Sequence, residues 1–150
     1  INVVDVPNAV QSEISLVNTL NLKMNDPDFF PAVIANQILG GDFNSYLNMN
    51  FREKHAWTYG ARSEIGSGKY VTKFVANSAV RNAVTDSAVV EFIKEIKKIR
   101  TEKVDAEVLK NVKAGYIGRF VMQVQKPQAV ARYGDRTIAC RFLRKIHSNH

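Results

Sequence analysis

A chain of 150 residues that is 45% apolar and 23% charged has the composition of one globular domain, which excludes a disordered or collagen-like polymer. No apolar run approaches the roughly 20 residues that cross a bilayer, and Ile1 to Asp5 carry neither the basic start nor the cleavage site of a signal peptide. The formal charge of +7 is uneven: residues 1–90 hold 7 Lys/Arg against 8 Asp/Glu, and residues 91–150 hold 14 against 6, so any basic surface belongs to the last third.

From Ser12 to Leu20 apolar Ile14, Leu16 and Leu20 alternate with Glu13, Ser15 and Thr19, the period of a half-covered strand. Turn formers fill 21–28. Asp28 suits the N-cap of a helix through Phe29, Phe30, Val33, Ile34 and Ile38, with Pro31 in the first turn where no N–H is required. Gly40-Gly41 is expected to end that helix through tolerance of positive φ. A shorter helix is predicted over 44–54, with Leu47, Phe51 and Tyr46 inward.

Two strand-like segments follow, 57–65 and 70–76, joined by Gly66-Ser67-Gly68-Lys69 as a hairpin. Two long helices are then marked by Val84, Ala88, Val89, Phe92, Ile93, Ile96 and Ile99, and by Val108, Leu109, Val112, Tyr116, Ile117, Phe120 and Val121. Asp105 suits the N-cap between them, and 138–146 carries a further amphipathic pattern. The order predicts an α+β fold, a mostly antiparallel sheet covered by helices on one face.

Chemistry-bearing motifs are sparse. His55, His147 and His150 lack the spacing and acidic partners of a zinc site, so no metal is expected on this chain. Residues 63–70 fail the phosphate-loop pattern at Ser63 and Tyr70. The lone Cys140 reads as a buried thiol. The lysines of the last third interleave with Glu91, Glu95, Glu102 and Glu107 and lack interspersed aromatic residues, which argues against nucleic acid. Arg52 and Tyr59 could project toward one place and suit a polarised carbonyl; an Arg–Glu surface pair and an ordinary strand tyrosine is the other reading of the same residues.

Leu39-Gly40-Gly41-Asp42-Phe43-Asn44-Ser45-Tyr46-Leu47, followed by Arg52-Glu53-Lys54 and Tyr59, strongly resembles the zinc-free domain of the pitrilysin/insulinase zinc metallopeptidases, the family that includes the mitochondrial processing peptidases. Val6-Pro7 to Ser12 is similar to the family's approach to its first strand. The resemblance covers 3–134 and leaves 135–150 unaligned. It implies a processing-peptidase-like domain, a fragment of a larger peptidase, that is inactive alone because the inverted His-x-x-Glu-His zinc motif is absent here. Zinc would reside in a partner domain of the same chain or a partner subunit, and the substrate would be a peptide or unfolded polypeptide. Arg52 would hold a substrate carbonyl, Tyr59 would donate to the oxyanion, and Gly40 and Gly41 would shape the substrate-binding loop. Alternatives are a non-catalytic interaction subunit of the same fold and a basic nucleic-acid-binding module. Compartment stays open.

Overall fold

A computed structural model describes residues 8–66, 71–128, 131 and 134. The glycine loop at 67–70, Val6-Pro7, Cys140, His147, His150 and the expected helix over 138–146 lie outside the described residues. The chain divides into two compact units, Ile1–Val108 and Leu109–His150.

In the first unit, β1 (Gln11–Leu20), β2 (Ala61–Ile65) and β3 (Thr72–Arg81) form one sheet in the order β1-β3-β2. Both pairings are antiparallel, and in register Ile14 and Ala61 face Ser78, while Leu16 and Ser63 face Ala76. With a side-chain period of two, these residues share one face with Phe74 and Val80. That is the covered face: Ile14, Ala61, Ala76 and Val80 are buried. The opposite face carries Glu13, Arg62, Glu64, Lys73, Asn77 and Arg81, as the alternation in β1 predicts.

Four helical pieces supply the cover. Helix α1 (Phe29–Asn36) continues into a wide π-helical turn, Gln37–Gly41. Helix α2 (Tyr46–Asn48) likewise widens into Met49–Lys54. A short 3-10 turn, Asn82–Val84, leads into α3 (Thr85–Thr101), whose first turn holds Asp86 and last turn Lys98 and Arg100, charges suited to the two ends of the helix dipole. Leu39, Leu47, Phe51, Ala88 and Phe92 complete the core with the sheet residues. Helix α4 (Ala106–Val124) starts at the end of the first unit and runs into the second. Asp105 caps it as expected, Oδ1 accepting from the N–H of Glu107 at 2.8 Å and of Val108 at 3.2 Å.

The details differ at three points. Asp28 makes no side-chain cap, because its own backbone is already helical (φ −84°, ψ −4°). The second strand is shorter than its alternating pattern, since residues 57–60 are diverted into a turn. The glycine pair adopts no positive φ: among the described residues the single positive φ is at Ala56. Gly40 and Gly41 instead form the end of the widened turn.

Candidate functional site

Leu47 and Phe51 are four apart and wholly buried, so the helical stretch between them has a fixed inward face. Phe51 meets Phe92 of α3 with ring centroids 4.4 Å apart and Trp57 edge-on at 5.9 Å. Arg52, the next residue, is thereby turned toward the surface. Its Nε lies 3.5 Å from Glu53 Oε1, and its Cζ stands over the Phe43 ring, 4.7 Å from the centroid. The Arg–Glu pair read from the sequence is present, but it engages only one of the five guanidinium N–H donors through that nitrogen.

The chain then reverses at Ala56, whose φ of 50° lies in the left-handed region. Its N–H donates to Arg52 O at 3.1 Å, and the N–H of Trp57 donates to Phe51 O at 3.0 Å. This is a left-handed helix cap with alanine where glycine is usual. A left-handed residue bearing Cβ is strained by about 1–2 kcal/mol, so Ala56→Gly should raise the denaturation midpoint slightly, after the greater freedom of glycine in the unfolded chain is offset. Trp57 stacks on His55 at 4.1 Å, which anchors the reversal.

Thr58 and Gly60 then build a tight turn around Tyr59. The N–H of Gly60 donates to Thr58 Oγ1 at 3.1 Å, and the Ser78 hydroxyl lies 3.0 Å from both Thr58 Oγ1 and Gly60 O. These bonds, formed by the neighbours, hold the turn without using the Tyr59 side chain. Tyr59 is left at its tip, 93% exposed. Its phenol is therefore presented outward from a braced backbone rather than from the face of a strand.

Gly40 serves a different purpose. A Cβ there would lie 2.5 Å from both the Ser63 backbone nitrogen and Ser63 Oγ, and 2.9 Å from Leu47 Cδ1. Close approach to β2, not positive φ, requires glycine at this position. Gly66 N–H donates to Lys73 O, so alternate residues 61 and 63 of β2 turn their peptide groups away from β3. Those groups meet side-chain amides: Asn36 Nδ2 donates to Ser63 O at 3.1 Å, and Ala61 N–H donates to Asn48 Oδ1 at 3.4 Å. A cleft of about 360 Å³ runs beside this edge, lined by Asn36, Gly40, Gly41, Arg62 and Glu64 among others, with neither Arg52 nor Tyr59 in its wall.

Beneath the Arg52 turn, the buried Asn50 carboxamide spans two carboxylates of α3. Its Nδ2 donates to Glu91 Oε2 at 2.8 Å and Glu95 Oε1 at 2.9 Å. The hydrogen bond from Asn50 is the main reason the Glu91 carboxyl is held below its ordinary pKa, with Lys94 helping and burial opposing. Burial pushes the Glu95 carboxyl up, against the pull of Lys98 and Lys94. A carboxyl raised in the folded state costs stability as pH climbs through and above the ordinary glutamate range, and that cost is absent in acid. Glu95→Gln keeps an acceptor for Asn50, so its melting temperature should gain on the native chain as pH rises through and above the ordinary glutamate range of about 4. A constant difference across that range would refute the assignment.

Asn36, Asn48 and Asn50 were not singled out by sequence; the available signal was amides at inward positions of otherwise apolar helical turns. Among the described residues no group of three His, Cys, Asp or Glu side chains could hold a metal ion, and no helix is long and apolar enough to cross a membrane.

No curated protein matches the sequence significantly. Among solved structures, the chain is similar to the peptidase M16 inactive domain from Pseudomonas fluorescens, with a TM-score of 0.70 and 24% identity over 75% of this chain and 27% of that one. It is also similar to a conserved protein from Enterococcus faecalis V583 (TM-score 0.80, 21% identity, 87% of this chain and 30% of that one). A protease from Helicobacter pylori shares the fold too (TM-score 0.80, 14% identity, 95% of this chain and 34% of that one). The chain thus spans about a third or less of the length of these relatives. The sequence itself matches the Peptidase M16 inactive domain over residues 2–116, which takes in the sheet, the glycine pair, Arg52 and Tyr59, and the chain belongs to that family of inactive metallopeptidase domains.

Proposed function

We propose that this domain supplies substrate-binding and oxyanion-stabilising side chains to a zinc-bearing domain of a metalloendopeptidase. The observation that carries the reading is the outward presentation of Tyr59, 93% exposed at the tip of a turn braced by Thr58, Gly60 and Ser78. A phenol that buries nothing and bonds nothing needed by the turn is suited to a partner outside the domain. Zinc chemistry belongs elsewhere in this reading. Arg52 binds a backbone carbonyl of an extended polypeptide through its remaining N–H donors, and Tyr59 donates a hydrogen bond where negative charge develops on the attacked carbonyl oxygen. Gly40 and Gly41 shape the segment that leads into this region.

Two measurements test it. With zinc added, the chain alone should leave unfolded peptides intact; chelator-sensitive cleavage would contradict the partner-domain role. In the full protein, Arg52→Ala should lower kcat/KM with zinc content unchanged, whereas unaltered activity would favour a non-catalytic interaction subunit of the same fold.

A further inference from the structure

Phe43 poses a question that packing does not answer. The residue is 59% exposed, so core burial gives little reason for a large apolar ring in the loop between the glycine pair and α2. Its carbonyl, by contrast, is fixed. The Asn48 carboxamide, itself 5% exposed, donates from Nδ2 to Phe43 O at 2.7 Å while its Oδ1 accepts the N–H of Ala61 at 3.4 Å. One buried amide therefore ties the loop carrying Phe43 to the first residue of β2, two residues beyond Tyr59. The ring of the residue whose backbone is so tethered lies under Arg52, whose Cζ is 4.7 Å from its centroid, within the range at which a guanidinium is attracted to an aromatic face.

We propose that Phe43, fixed through Asn48, is a positioning residue that seats the Arg52 guanidinium for a carbonyl of the bound polypeptide. The inference rests on the proposed role of Arg52 and adds what orients it. A surface arginine has many rotamers to lose on binding, and a planar guanidinium already stacked on a ring and paired at Nε loses fewer of them per hydrogen bond formed. Asn48 further places that seat and the Tyr59 turn in a fixed relation, because the same amide bonds both segments.

The test uses the full protein. Phe43→Leu should raise KM about tenfold with kcat nearly unchanged, and weaken binding of an unstructured model peptide to the zinc-chelated protein by a similar factor. The exposed ring predicts an unchanged melting temperature. Phe43→Trp, which keeps an aromatic face, should restore both values, and Phe43→Leu should have no further effect in an Arg52→Ala background. The inference is overturned if Arg52→Ala impairs binding and Phe43→Leu does not, if Trp fails to rescue, or if the losses from the two substitutions add. Silence of Arg52→Ala itself would remove the underlying reading of that residue and this inference with it.

Discussion

Tyr59→Phe in the full protein should lower kcat/KM by about 10²–10³, the usual loss when one oxyanion donor is removed, while the domain's thermal stability stays as it was. The two halves of this expectation come from one geometry. Thr58, Gly60 and Ser78 hold the turn, and the phenol at its tip is 93% exposed. Removing the hydroxyl therefore deletes a donor and no internal contact. Steady-state kinetics, a zinc assay and a thermal melt on the same preparation separate the possibilities. A variant that loses activity together with stability would mean that the hydroxyl is structural, and a fully active one would take oxyanion stabilisation away from Tyr59.

Gly40→Ala carries the largest expected effect on folding. The new methyl group would meet the Ser63 backbone nitrogen and Ser63 Oγ at 2.5 Å and Leu47 Cδ1 at 2.9 Å. Ser63 belongs to a paired strand and Leu47 is wholly buried, so neither can yield cheaply. Overpacking of this kind costs about 1–3 kcal/mol, and this site belongs at the upper end, lowering the melting temperature by several degrees. Gly41→Ala is the control. Its nearest contacts are the far end of the Gln37 side chain, Nε2 at 2.7 Å and Cδ at 3.0 Å, instead of a neighbouring strand's backbone, with Asn36 O at 3.2 Å. Denaturant titration should show the first variant much less stable than the second, and equal losses would sink the account of Gly40 as a contact to β2.

The α+β class was legible in periodicity because local spacing reports which face is covered. The alternation in β1, the Leu47/Phe51 pair and Ala88, Phe92, Ile96 and Ile99 of α3 translate into the covered face, whereas Ile93 of the same run is exposed. Gly40 was legible as a necessity but not for its reason. Its constraint comes from Ser63, 23 positions later, and no local rule contains that contact. Residues 57–60 alternate like a strand, yet Trp57 is taken by His55 and the Thr58 hydroxyl closes a turn, so hydrogen bonding overrides pattern. The left-handed Ala56 is invisible in sequence because alanine does not advertise that conformation. Of the candidate site, Arg52 and Tyr59 stood out through the motif resemblance; their supports, Phe43, Asn48 and Ser78, became assignable only when distant segments were seen together.

The amides along the outer edge of β2 bear on how a polypeptide can be read here. An unoccupied strand edge accepts an extended chain through its peptide groups alone, with little regard for sequence. From Ala61 to Ser63 that edge is occupied by Asn48, Asn36 and the close-packed Gly40. Strand addition there is therefore opposed at the Ala61 N–H and the Ser63 carbonyl, which already have side-chain partners. On the proposed substrate-binding role, selectivity contributed from this wall would come from individual donors and the shape around them, not from strand addition along this stretch of β2.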